Sequence, residues 1–226
     1  MQLLKFAPRQ QRGETLVGLL VGLVVGLIVL GGASLIYLNA ARANSTTLQL
    51  SRSNQELKAI MDVMVRDIRR AGRSGAAIHC IGGASCTDSF VGGNEDWTVA
   101  ASQIDFTYDL NANGSQDSNE CHGFRRVVES GIGRIEMKSD CSPTWQPLST
   151  PNSTHISNFT TTSETRCQTA GSRQLAVRKV RIYLEAQSGG VTRRMCQTIR
   201  LKNDAIVDSC SEANLSTSTP FTNCPT

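Results

Sequence analysis

Residues Leu16 to Leu38 form an uncharged run of 23 residues, and this run restricts the chain more than any other feature. At about 1.5 Å per residue, a helix over it reaches about 35 Å, enough to cross a bilayer core of roughly 30 Å. A cleaved secretory signal has an apolar stretch of only about 7–15 residues. The run is therefore too long for one, although Ala41-Arg42-Ala43 offers a small-x-small cleavage pattern. Residues 1–13 carry Lys5, Arg9 and Arg12 and no acid. That charge bias keeps the N-terminus in the cytoplasm and puts the rest across the membrane. Those three cations supply most of the net charge of +4. The remainder is close to neutral, so nucleic acid is an unlikely partner on global charge.

All eight cysteines (Cys80, Cys86, Cys121, Cys141, Cys167, Cys196, Cys210 and Cys224) lie beyond the apolar run. An even number on the far side of a membrane favours disulfides in an oxidising compartment. The rival, a metal-thiolate site, lacks any C-x-x-C pair. Eight cysteines allow 105 pairings. Proximity favours Cys80–Cys86 and Cys210–Cys224, and elimination leaves Cys121–Cys141 and Cys167–Cys196.

Within the run, Gly18, Gly22 and Gly26 recur every four residues. On a helix they form one stripe where a second helix can approach closely. Gly31-Gly32 follow, a point for bending.

The junction Arg12-Gly13-Glu14-Thr15-Leu16-Val17-Gly18-Leu19-Leu20 resembles the processing site of type IV pilins and type II secretion pseudopilins. The resemblance implies that a prepilin peptidase cuts after Gly13 and methylates the new N-terminal Glu14. It also implies a helical spine that polymerises and a β-sheet head on the filament exterior. Two positions depart from the family pattern. The first mature residue is usually Phe or Met, and here it is Glu14. The fifth is usually Glu, and here it is Gly18. In the family that glutamate pairs with a neighbour's N-terminal amine, which is costly to leave unpaired in an apolar setting. Among pseudopilins it is missing from the tip subunit, so Gly18 suggests a minor subunit at or near a tip. Three further stretches resemble PilW-like minor pilins: Arg69-Arg70-Ala71-Gly72, Trp145-Gln146-Pro147-Leu148, and Gln197–Asn203. A loop closed by Cys210–Cys224 would resemble the disulfide-bounded loop of many pilins.

Beyond the membrane, Leu50, Leu57, Ile60, Met61, Met64, Ile68 and Ala71 form an apolar stripe at helical spacing. Asp62 and Arg66 are placed for an i,i+4 pair, and Gly72 is a good stop signal. Residues 74–96 read as a Gly/Ser/Ala loop. Strands follow: Ile104, Phe106 and Tyr108 alternate with polar residues, and Phe124–Glu129 and Arg134–Lys138 are joined around Ser130-Gly131. Val180, Ile182 and Leu184 alternate before Ser188-Gly189-Gly190. A closing strand then has Met195, Ile199 and Leu201 inside, with Arg194, Cys196 and Arg200 outside. The expected fold is α+β: a long transmembrane helix packed on an antiparallel, disulfide-braced sheet head. The expected segments are a leader (1–13), a membrane helix (14–43), a periplasmic amphipathic helix (44–72) and the head (73–226).

The segment from Asp109 to Glu120 fits the calcium-loop pattern D-x-[DN]-x-[DN]-G-x5-E. Asp109, Asn111, Asn113, Ser115, Asp117 and Glu120 are the candidate ligands, and Gly114 allows the sharp turn. Strand-like flanks, and the fondness of Asn, Asp and Gly for turns, leave a plain polar hairpin as the other reading.

No G-x-S-x-G, H-E-x-x-H, phosphate-loop or dinucleotide motif occurs, and His79, His122 and His155 are scattered, so catalysis has no positive support. The expected function is a minor pilin of a type IV pilus serving motility or adhesion. It would sit in the inner membrane with a periplasmic head. Its partners would be other pilins, the prepilin peptidase, the inner-membrane assembly platform and lipid. The alternatives are a J-type pseudopilin of type II secretion, or a DNA-uptake or adhesion subunit. The last would use Arg178, Lys179, Arg181, Arg193, Arg194, Arg200 and Lys202, a basic set without aromatic interleaving beyond Tyr183.

Overall fold

A computed structural model describes residues 16–75, 97–149, 154–171, 173–188, 190–202, 205–207 and 212. The chain divides into two compact units, Met1–Thr47 and Leu48–Thr226. A single helix, α1 (Leu16–Ile68), enters both. No proline interrupts residues 15–72, and every backbone N–H beyond the first turn can find its i−4 carbonyl. The helix ends in a tight turn over residues 69–72. Gly72 adopts a left-handed φ of 69° and donates its N–H to Thr107 O at 2.9 Å. That carbonyl contact fixes the helix end on the sheet, as a glycine C-cap should.

In the second unit the strands form two antiparallel sheets. The first runs β1 (Trp97–Ala100), β2 (Gln103–Thr107), β3 (Cys121–Glu129), β4 (Ile132–Lys138) and β5 (Gln146–Pro147), paired in that order. The second orders β6 (His155–Ala170), β7 (Arg173–Ser188) and β8 (Val191–Arg200), with β9 (Ala205–Val207) paired to the start of β7. The β3–β4 turn is Ser130-Gly131, with φ of 51° and 79°, as a two-residue hairpin demands.

Leu57, Ile60, Met61, Met64 and Ile68 of α1 share one buried cluster with Phe106, Phe124 and Ile135 of the first sheet. Phe159, Ile182 and Leu184 of the second sheet complete it. Leu50 is only half-buried, so the stripe becomes core from Leu57 onward. Fully burying each large side chain is worth about 1.5–3 kcal/mol, and this shared core is what joins helix and sheets.

The sheets also meet along β6. Thr161 N–H donates to Ala101 O at 3.2 Å, and Arg126 Nε donates to Ile156 O at 2.8 Å. At this seam Gly133 cannot be replaced, because a Cβ there would lie 2.0 Å from Ile156 O.

The expected Asp62–Arg66 pair is a correction: no ion pair within 4 Å joins them among the described residues. Both side chains are exposed and well solvated, so little favours holding them together.

Candidate functional site

Gly13 and Glu14 lie outside the described residues. The apolar part of α1 follows immediately. Its richest window has a mean hydropathy of 2.7, and none of that window is buried. Leu19, Leu23, Leu27 and Leu30 expose 57–65% of their surface. Gly22 and Gly26 have no atom within 4 Å of where a Cβ would sit, so the faces they open are vacant. Gly18 is likewise exposed on the helix. An apolar helix exposed on all sides needs lipid or other helices around it.

The segment from Asp109 to Glu120 connects β2 to β3 and is closed by its own backbone. Asp109, fully buried, accepts N–H bonds from Gly75 (2.8 Å), Gly114 (2.9 Å) and Asn113 (3.2 Å). Burial alone would raise its pKa, but bonds from Gly75, Gly114, Ala112 and Asn113 outweigh that and leave it lowered. Glu120, also fully buried, accepts from Leu110 N–H at 2.7 Å and Asp117 N–H at 2.8 Å. Asn111 and Asn113 both donate side-chain N–H bonds to Asp117, at 2.7 and 3.0 Å. Ser115 donates its N–H to Asn113 Oδ1 at 2.8 Å. Gly114 has the sharp-turn φ of 77°. The six candidate ligands therefore sit in one turn, and their carboxylates are occupied by N–H donors. Among the described residues, no group of three His, Cys, Asp or Glu side chains is arranged to hold a metal ion.

This turn also ties distant parts of the chain together. Gly75, just past the helix, packs so closely on it that a Cβ would lie 2.4 Å from Ala112 O. Cys141 N–H donates to Ser118 O at 2.7 Å, and Cys121 and Cys141 form a disulfide with Cα atoms 4.7 Å apart. Cys167 and Cys196 are each disulfide-bonded, but not to one another, which corrects the pairing reached by elimination. Cys167 pairs with Ala176 of β7 and Cys196 with Tyr183, seven residues further along. That spacing is about 23 Å, far beyond the roughly 4.4–6.8 Å a disulfide spans. Cys80, Cys86, Cys210 and Cys224 lie outside the described residues.

The basic set on the last hairpin is largely spoken for. Glu164 of β6 pairs with Arg166 (2.7 Å) and Lys179 (3.3 Å). Glu185 of β7 pairs with Arg194 (2.8 Å) and accepts from Tyr183 Oη (2.8 Å) and Ser157 Oγ (2.9 Å). Arg178 is buried, and Arg181 donates to Thr198. In the first sheet, Glu136 takes Arg125 and Arg134 at 2.8 Å each, and Arg134 also reaches Glu129. Burial would raise the Glu136 pKa, but its two arginines hold it low.

One cluster carries no motif. The guanidinium of Arg70 lies 4.2 Å from the Tyr108 ring centre, and Tyr108 stacks on His122 at 4.0 Å and 5°. The stack pins the end of α1 to β3. Burial first, then Arg70, keep His122 down to about 4 despite the opposing charge of Glu120. Only the alternation of Ile104, Phe106 and Tyr108 hints at it in the sequence.

An exposed membrane-length helix leading into a two-sheet head fits a membrane-anchored, pilin-like subunit. Residues 8–34 match the prokaryotic N-terminal methylation motif, and residues 46–201 match the family described as prepilin peptidase-dependent protein B, PpdB. The second match covers well over half of the chain, and the chain belongs to the PpdB family. No curated protein and no solved structure matches it. Membership implies processing by a prepilin peptidase and pilus-type partners, and pilin-like families are structural subunits.

Proposed function

We propose that this chain is a minor pilin, of the kind the sequence likens to PilW, that assembles into or primes a type IV pilus. The observation that carries this reading is the coincidence of the methylation motif with a glycine-striped helix exposed along its whole apolar length. Cleavage after Gly13 would free the Glu14 amine on the cytoplasmic side. The helix would hold the subunit in the inner membrane, with its head in the periplasm, until an assembly platform moves it into a filament. There, helices of other pilins would replace lipid, and Gly18, Gly22 and Gly26 would let them approach. Glu14 beside its own amine, with Gly18 in the fifth mature place, supports a low-copy position near the tip.

Mass measurement of the purified chain tests the first step. The expected N-terminus is methylated Glu14, and a chain still starting at Met1 overturns the reading. Gene deletion followed by electron microscopy tests the second, with loss of surface filaments expected. The same junction, which type II secretion pseudopilins share, supports a second reading, the J-type pseudopilin of type II secretion. Unchanged filaments with lost secretion would select it.

A further inference from the structure

Two sets of cations that are far apart in sequence share one groove in the second unit. Arg66 lies on the exposed side of α1 and Arg69, also exposed, in the turn that ends it. Lys202, just past β8, joins them and Val65 in lining a groove of about 460 Å³. A second groove, of about 640 Å³, shares Arg69 and Lys202 and adds Arg200 and Leu201. Arg66, Arg69 and Lys202 make no ion pair among the described residues. Asp62 is the one acid among the described residues lining the first groove, and none lines the second. Cations at the end of α1 are explained by the negative end of its dipole. That dipole gives no reason for Arg200 at the end of β8 and Lys202 just past it to lie beside them, where like charges repel.

We infer that this double groove docks an acidic segment of another protein subunit, one that presents carboxylates next to an aliphatic side chain. Arg66, Arg69 and Lys202 supply the counter-charges, and Val65 and Leu201 supply the apolar floor. Nucleic acid fits less well. A duplex needs a track of phosphate contacts, and two of the neighbouring cations that would extend one, Lys179 and Arg194, are neutralised by Glu164 and Glu185. Among the described residues, no aromatic side chain lines either groove to stack a base. The inference rests on the charge of the groove and holds for a pilus or a secretion filament alike.

The test uses the detergent-solubilised full chain and fluorescence anisotropy at about 0.15 M salt, where long-range attraction is screened. The probes are a labelled peptide alternating Glu and Val and a labelled duplex oligonucleotide of equal charge. The peptide is expected to bind saturably. The double variant R69E/K202E should weaken it about tenfold, the scale of two reversed charge contacts. Arg193→Glu, an exposed cation of β8 outside both grooves, should leave it unchanged. The milder R66Q/K202Q variant should weaken it in the same direction and guards against misfolding, which thermal unfolding would reveal. The inference fails if R69E/K202E binds like the parent, if Arg193→Glu weakens binding equally, or if the duplex binds as tightly as the peptide.

Discussion

Between Leu16 and Thr47 only Gly26 of α1 is even half-buried, whereas between Leu48 and Ile68 six residues, Ser53, Leu57, Ile60, Met61, Met64 and Ile68, are buried. The more apolar half of one helix is thus the exposed half. In water that arrangement would be unfavourable by the full transfer energy of its leucines and valines. The two halves therefore satisfy the hydrophobic effect in different ways. The later half carries a stripe and buries it in its own head. The earlier half is apolar on every side and needs a surrounding that is not water, such as lipid or other helices.

The sharpest way to break this comparison is to damage each half alone. Met64 is fully buried, so Met64→Ala should cost about 2–5 kcal/mol of head stability. Urea unfolding of the solubilised chain measures this, while recovery in the membrane fraction should not change. Leu27→Arg puts a charge near the middle of the exposed run, at about 2.5–3.5 kcal/mol for insertion. Less protein should then reach the membrane, and the midpoint of head unfolding should stay where it was. Crossed effects, with Met64→Ala releasing the anchor or Leu27→Arg loosening the head, would show that the halves do not act separately.

How well each region can be read from sequence follows from the same contrast. The anchor, the stripe from Leu57 to Ile68 and the Ser130-Gly131 hairpin are local patterns of spacing and turn chemistry, and all are visible in the residues. Strand β6 is not. It is rich in Thr and Ser, and a register shift between Ile156 and Asn158 changes which parity faces inward, so Ile156 and Phe159 both point to the core. Alternation is lost wherever such a bulge falls. Missing β6 hides Glu164, and without Glu164 the hairpin's cations look free. The separation of Cys167 from Cys196 depends on the same long-range register. The shared groove of Arg69 and Lys202 is a product of packing that no local pattern contains.

The turn at Asp109 offers a finer comparison, between what resembles a calcium loop and what the carboxylates do. Removing the Asp109 carboxylate leaves the N–H groups of Gly75, Gly114 and Asn113 without their acceptor. Asp109→Ala should therefore cost about 1–3 kcal/mol. Backbone N–H groups bond the carboxylate, so the same loss is expected with calcium and with a chelator. Thermal unfolding under both conditions checks it, with calorimetry on the parent chain. If calcium raises the melting temperature of the parent but not of Asp109→Ala, the loop is a metal site and the backbone bonds are its scaffold.

The smallest effect concerns pH and is confined to the head. His122 takes up a proton near 6.5 when the chain is unfolded but only at about 4 in the folded stack. Between those values the unfolded chain binds more protons, so stability must rise with pH there and fall as pH drops from 6.5 toward 4. The slope cannot exceed about 1.4 kcal/mol per pH unit for one group. Asp109, Glu136, Glu164 and Glu185 have lowered pKa values, so they keep their contribution above the ordinary 3.8 or 4.5 and lose it only in stronger acid. Asp67 is raised by burial, against the pull of Arg70 and Arg66, and works the other way. The informative quantity is therefore a difference: urea unfolding of the parent against His122→Phe, from pH 7 to pH 4.5. Phenylalanine keeps a ring on Tyr108 and has no proton to bind, so the variant's curve should be flatter over that range. Equal slopes would mean that another group governs this acid response and that the Arg70–Tyr108–His122 stack holds the helix end by packing alone.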